Sequence, residues 1–156
     1  MRTVLQRVSR AKVSVEETVV SEIGPGLLIL LGVGHDDSEE TCRLLAARIA
    51  RLRVFDDETG KMNLSLLDIH GAALVVSQFT LYADTSRGLR PSFTDACPPG
   101  RARELCDRFT SELGYLGVPV RTGRFGARMA VQLINDGPVT IVLEEPNRKA
   151  PICSGV

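Results

Sequence analysis

Two short stretches of this chain hold residue types and spacings that could do chemistry. In the first, Ser77-Gln78-Phe79-Thr80, polar groups follow the apolar run Ala72-Ala73-Leu74-Val75-Val76 without transition. Active sites commonly sit at the carboxyl ends of such strands. Ser77, Gln78 and Thr80 offer hydroxyls, an amide and backbone N–H groups to a substrate carbonyl, although a strand end capped by polar side chains reads the same way. The second stretch is Asn135-Asp136-Gly137-Pro138-Val139-Thr140, between the apolar runs 130–134 and 139–143. It reads as the turn of a hairpin. Gly-Pro is unusual there, because proline cannot donate to a ladder. Glycine reaches backbone angles closed to other residues, and the bond before proline is where a cis peptide costs least. Arginines complete the set: Arg87 and Arg90 in a Gly- and Pro-bearing loop, Arg121, Arg124 and Arg128 further on, and Arg7 near the start. They suit phosphate or carboxylate contacts, with solvated surface charge as the alternative for most.

Other catalytic sets are missing. There is no GxSxG elbow, no phosphate-binding Walker loop and no HExxH, and His35 and His70 fall in loop and turn positions. The acidic run Asp56-Asp57-Glu58-Thr59-Gly60 lacks the spacing and closing glutamate of a calcium loop, so it reads as a solvated turn. The four cysteines (Cys42, Cys97, Cys106, Cys153) form no CxxC pair, and Cys42 and Cys106 fall on predicted helices as core thiols. We therefore expect no metal and no cofactor.

The 156 residues suit one domain, and 44% hydrophobic with 24% charged residues is ordinary for a globular chain. A formal net charge of zero gives no global field toward nucleic acid, though a local basic surface stays open. Charge interrupts the N-terminus at once, and the longest apolar run, 27–33, is far too short to span a bilayer. The expectation is a cytoplasmic protein without membrane association.

Alternation in 3–8 and 12–20 predicts an N-terminal hairpin turning at Ser9-Arg10-Ala11, followed by a strand over 27–33 buried on both faces. Ser38 caps a helix running to about Arg53, with Leu44, Leu45, Ile49 and Leu52 as its stripe. A strand from Ala72 runs on through Leu81, and the long irregular segment 82–100 has the length of a functional loop. A second helix from Pro99 or Gly100 buries Ala102, Leu105, Cys106, Phe109 and Leu113, and 120–125 forms a strand before the final hairpin. The fold class is a single mixed-sheet α/β domain, layered β/β/α, with both helices on one side of the sheet.

The motifs Leu5-Gln6-Arg7-Val8, Gly60-Lys61-Met62-Asn63-Leu64, Ser77-Gln78-Phe79-Thr80-Leu81, Arg90-Pro91-Ser92-Phe93, Thr122-Gly123-Arg124-Phe125 and Asn135-Asp136-Gly137-Pro138-Val139-Thr140, together with 26–32, follow one another over 1–144. In this the chain resembles the D-aminoacyl-tRNA deacylase family. The resemblance implies a deacylase domain over 1–144, a flexible tail over 145–156, and a homodimer with active sites at the subunit interface. It implies a cis Gly137-Pro138 peptide whose tip enters the partner's pocket and rejects L-amino acids mostly through main-chain atoms. Hydrolysis would free a D-amino acid from the 3′ end of tRNA and would extend to glycyl-tRNA. Thr80, Gln78 and Phe79 are the implied catalytic positions, and Gly137, Pro138, Ser77, Arg7 and Met129 the implied substrate-binding and chiral-selectivity positions. Two other classes remain open at this stage: an esterase of small activated esters with Thr80 as nucleophile, and a non-catalytic module that binds the tRNA end.

Overall fold

A computed structural model describes residues 1–146. Strands β1 (Arg2–Val15), β2 (Thr18–Ile23) and β3 (Gly26–Gly32) lead into helix α1 (Glu39–Ala50). The short strands β4 (Phe55–Asp56) and β5 (Met62–Leu64) form a separate ribbon, followed by β6 (Ala72–Ser77) and a 3₁₀ turn, Phe79–Tyr82. Helix α2 (Pro99–Tyr115), β7 (Val120–Thr122) and β8 (Ala130–Glu144) complete the order. The main sheet runs β2-β1-β3-β6-β7, with β8 on the other edge of β1. β3, β6 and β7 are parallel neighbours and the remaining pairs are antiparallel. The sheet curls until Ser21 Oγ on β2 donates to the Thr122 carbonyl on β7 at 2.6 Å, nearly closing it. Both helices cover one side, as the sequence predicts.

The curl makes two cores. Leu27, Ile29 and Leu31 of β3 with Ala73 and Val75 of β6 face the helices, where Leu45, Ile49, Leu105 and Phe109 meet them. The alternate residues Leu28, Leu74 and Val76 face inward and pack with Val8, Val13 and Ile23. This accounts for the unbroken apolar runs in β3 and β6: a strand covered on both faces has no polar side to alternate. On α1, Ser38 accepts from the Thr41 N–H in a reciprocal capping box. Its buried stripe is Cys42, Leu45, Ala46 and Ile49, while Leu44 is exposed, and the helix stops at Ala50 rather than at Arg53. The four residues Leu105, Cys106, Phe109 and Leu113 of α2 are buried as expected, and Ala102 is only partly so. In the acidic turn, Asp57 accepts from Thr59, Lys61 and Asn63, and these bonds hold its carboxyl far below the usual range.

Neither predicted hairpin forms where expected. β1 passes straight through Ser9-Arg10, and the reversal comes at Glu16 and Glu17, with φ of 49° and 65°. A two-residue turn with both angles positive normally carries Asn or Gly, so two glutamates gave no signal. Ser9 is instead an extra residue in the ladder, because Val8 pairs with Asn135 and Arg10 with Ile134. The second misplaced hairpin is β8 itself. Its two halves do not pair with each other; both pair with β1, 130–135 against 8–14 and 140–144 against 2–6. The four residues 136–139 bulge out of a single long strand. Two apolar runs around a turn motif look alike in sequence whether the chain folds back or continues.

Beyond the last strand, Glu145 still donates its N–H to the Met1 carbonyl at 2.9 Å. The remainder of the expected tail, 147–156, lies outside the described residues. Phe109 is the largest fully buried side chain, at the junction of helices and sheet. We predict that Phe109→Ala lowers unfolding stability by about 3–5 kcal/mol. An unfolding free energy from urea melts within about 1 kcal/mol of the wild type would show that this core is not the one that holds the fold.

Candidate active site

The ladder of β6 ends with Gln78, whose N–H donates to the Leu31 carbonyl at 2.8 Å. The chain then leaves the strand direction, contrary to the expected strand through Leu81. It closes a tight turn through Leu81 N–H to Gln78 O at 3.3 Å and Ala83 N–H to Thr80 O at 3.0 Å. Room for this turn comes from two glycines after the apolar run of β3. A Cβ on Gly32 would sit 3.0 Å from Leu81 Cβ and 3.1 Å from Gln78 O, and one on Gly34 would sit 2.7 Å from Tyr82 Oη. Arg2 clamps the turn from β1: its Nη1 donates to Leu81 O at 3.1 Å, and its guanidinium lies 4.6 Å over the Tyr82 ring. The Tyr82 hydroxyl donates to Asp37 Oδ2 at 3.4 Å, and Asp37 also takes the Gly34 N–H at 2.7 Å and the α-amino group of Met1. Burial, reinforced by Asp37, pushes the Tyr82 hydroxyl far above its ordinary value, so it stays protonated as a donor.

Beside the turn opens a cavity of about 630 Å³. Ser77, Gln78 and Phe79 form one wall, Phe93, Cys97 and Pro98 a second, and Phe125 and Met129 a third. Phe79 is 59% exposed and meets Phe93 edge-on, ring centres 5.0 Å apart. An apolar cavity with a few polar groups at one end is the usual form of a small-ligand site. Segment 123–129, predicted in part as strand, is instead a folded turn, with Ala127 N–H on Arg124 O at 3.1 Å and Arg124 N–H on Met129 Sδ at 3.3 Å. Burial pushes the Cys106 thiol up to about 12 and raises that of Cys97, so neither cavity thiol is a nucleophile at neutral pH. Among the described residues no three His, Cys, Asp or Glu side chains are placed to hold a metal ion.

Thr80, next in sequence to the lining residue Phe79 but not itself lining the cavity, is exposed and takes a short hydrogen bond from Gln78 Nε2. No histidine or carboxylate hydrogen-bonds to it among the described residues. Ser77, Gln78, Phe79 and Met129 therefore come together at one cavity with Thr80 at its edge. Gly137, Pro138 and Arg7 form a separate group.

That second group is the bulge of β8. Asn135 ties its ends, accepting the Val139 N–H at 2.9 Å and donating to Thr140 Oγ1 at 3.0 Å. The Gly137-Pro138 peptide is cis, and Gly137 has φ of 130°, a value side chains disfavour. Arg7 is not surface charge. Its side chain is 7% exposed and lies behind the tip, with Nε on Asp136 O at 2.9 Å and Nη1 on Val54 O at 2.8 Å and Asp56 Oδ1 at 3.2 Å. Arg2 touches the 3₁₀ turn and Arg7 the tip. Five residues of strand, roughly 16 Å at ~3.3 Å per residue, separate them.

A sequence profile described as D-Tyr-tRNA(Tyr) deacylase matches residues 4–144. The chain belongs to this deacylase family. It is 62% identical over 151 residues to a D-aminoacyl-tRNA deacylase of Roseiflexus sp. (strain RS-1), covering 97% of each chain. It is 60% identical over 144 residues to that of Thermomicrobium roseum, covering 92% of this chain and 94% of the relative. Among solved structures, one titled c-Myc DNA Unwinding Element Binding Protein is 40% identical, with a TM-score of 0.89 over 94% of this chain and 99% of that one. The residues that seat the 3₁₀ turn, Arg2, Gly32, Gly34, Asp37 and Tyr82, do not stand out in the sequence as site residues. Only the glycines gave a signal, as a pair closing an apolar strand.

We predict that Arg7→Lys lowers stability by about 2 kcal/mol, because an ammonium cannot serve two carbonyls and a carboxylate in the fork geometry. Deacylation should fall with it as the tip loses its brace. Denaturant melts and initial rates check both, and an unchanged melt would mean that Arg7 does not hold the tip.

Proposed function

We propose that this protein hydrolyses the ester joining a D-amino acid to the 3′-terminal adenosine of tRNA and spares L-aminoacyl-tRNA. It acts in the cytoplasm as a trans-editing homodimer. The observation that carries the dimer is the separation of cavity and Gly-Pro tip within one chain: a second copy can bring a tip to each cavity. The outer edge of β8 has no strand partner among the described residues, and Ile134 and Val142 are exposed beside it, which favours such pairing.

In this reading the tip's carbonyls hold the substrate amino group. An L side chain would point into the tip and clash, and a D side chain points away. Glycine offers nothing to clash, so glycyl-tRNA mischarged on tRNA-Ala passes as a second substrate. Water adds to the ester carbonyl carbon, the bond to the ribose 3′ oxygen breaks, and that oxygen takes a proton, leaving the free amino acid and tRNA. Nothing beside Thr80 can serve as its base, since an amide N–H only donates. The adenosine 2′-OH helps activate the water. The first N–H groups of a helical turn have no acceptor within that turn, so those near Phe79 and Thr80 stabilise the oxyanion.

D-Tyr-tRNA should be deacylated at least about 100-fold faster than L-Tyr-tRNA, the discrimination a steric and hydrogen-bonding filter supports. Gly137→Ala should lose most of the rate, since its Cβ would come 2.8 Å from Val139 Cγ2. Equal rates on both enantiomers would sink the reading. Thr80→Val should keep most activity, and a loss on the order of a thousandfold or more would return Thr80 to the role of nucleophile.

A further inference from the structure

The chain is electrically neutral overall, yet its charge is unevenly spent. Arg43 and Arg48 of α1 and Arg101 and Arg108 of α2 each sit in an ion pair with a glutamate. Around one wall of the cavity the pattern reverses. Arg124 and Arg128 flank the lining residues Phe125, Gly126, Ala127 and Met129, and Arg103 projects next to the lining residue Ala102. All three arginines are exposed, and among the described residues none has a carboxylate at ion-pair distance; Glu104 is taken by Arg101, and Asp107, one turn beyond Arg103, makes no pair with it. Their backbone is well ordered by local contacts. The Arg103 guanidinium lies 5.6 Å over the Phe125 ring, and the 124–129 turn is closed by its own hydrogen bonds, including one to Met129 Sδ.

We propose that Arg103, Arg124 and Arg128 form a phosphate track that receives the backbone of the tRNA acceptor end as it leaves the cavity. This deepens the deacylase reading and rests on it. A substrate whose 3′ nucleotide fills the cavity must carry its next phosphates out past one wall. Guanidinium groups without carboxylate partners supply attraction there without first breaking an ion pair. The track also reconciles a zero net charge with a polyanionic substrate, because what matters near the site is the local field rather than the total. The contacts are to backbone, so they hold tRNAs of any sequence and leave chirality to the tip. The other arginine pair, Arg87 and Arg90, sits on the loop closed by the Asp84–Ser92 bridge; neither flanks a lining residue directly, and Leu89 between them packs against nothing.

The test compares D-Tyr-tRNA with a minimal substrate, the 3′-D-tyrosyl ester of adenosine, across a potassium chloride series. For the double variant Arg124→Gln with Arg128→Gln, kcat/KM on D-Tyr-tRNA should become less steeply salt-dependent. The slope of its logarithm against the logarithm of salt should fall by about one per arginine removed, so about two. KM at low salt should rise on the order of tenfold, as lost counterion release predicts, with kcat and hydrolysis of the minimal ester unchanged. Adding Arg103→Gln should take a further unit from the slope, whereas Arg87→Gln with Arg90→Gln should leave it at the wild-type value. An unchanged slope in the double variant overturns the proposal. So does a slope lost in the Arg87 and Arg90 variant instead, or an equal loss of rate on the minimal ester. If the wild type turned over neither D-tyrosyl substrate, the deacylase reading itself would fall, a result distinct from each of these.

Discussion

Everything in this molecule hangs on β1 having a neighbour along both edges. One edge serves β3 over its first half and β2 over its second, and the other carries β8 along nearly its whole length. The extra residue at Ser9 makes this possible. Leu5 packs in the core under the helices, while Ala11 and Val13 pack in the core inside the curl. All three positions are odd-numbered, and strict alternation would put them on one face; one inserted residue inverts the phase and turns the strand from one core to the other. Arg7 lies just before that inversion, in step with Thr3 and Leu5, which is why a guanidinium is buried there and can brace a loop from beneath.

The same strand sets the geometry of the site. Arg2 holds the 3₁₀ turn and Arg7 holds the Gly-Pro tip, so an extended ladder acts as a ruler between them. The turn and the tip cannot relax toward each other without breaking β1. The chemistry this permits is mostly main-chain chemistry. The cavity is lined by aromatic and aliphatic side chains, its thiols are held protonated by burial, and its polar end is the Gln78 amide, the Ser77 hydroxyl and the start of a helical turn. Such a site binds, orients and polarises. On the proposed reading, an ester already activated by its attachment to ribose asks for little more.

Much of this was legible in the residues. The two-sided burial of β3 and β6 followed from unbroken apolar runs, Ser38 announced the start of α1, and the polar break after Val76 marked the strand end that borders the cavity. The family resemblance rested on motifs that the fold places in the strands β1 and β3, at the cavity wall, in turns and at the tip. Arg2 and Tyr82 escaped notice because a cation and a ring far apart in sequence carry no pattern. Arg7 was hard to tell from the other arginines because burial is a property of its neighbours.

The sequence by itself determined the elements and the local devices: which runs are buried, where α1 is capped, and where glycine and proline must fall. Those depend on contacts within a few residues, or on alternation that reports burial directly. Only the tertiary structure decided how strands join. Ser9 became a bulge and not a turn, Glu16-Glu17 became the reversal, and the two halves of β8 ran on along β1 instead of folding back on each other. A period of two is the same for a hairpin and for a bulged strand, and the choice between them belongs to the partner that supplies the hydrogen bonds.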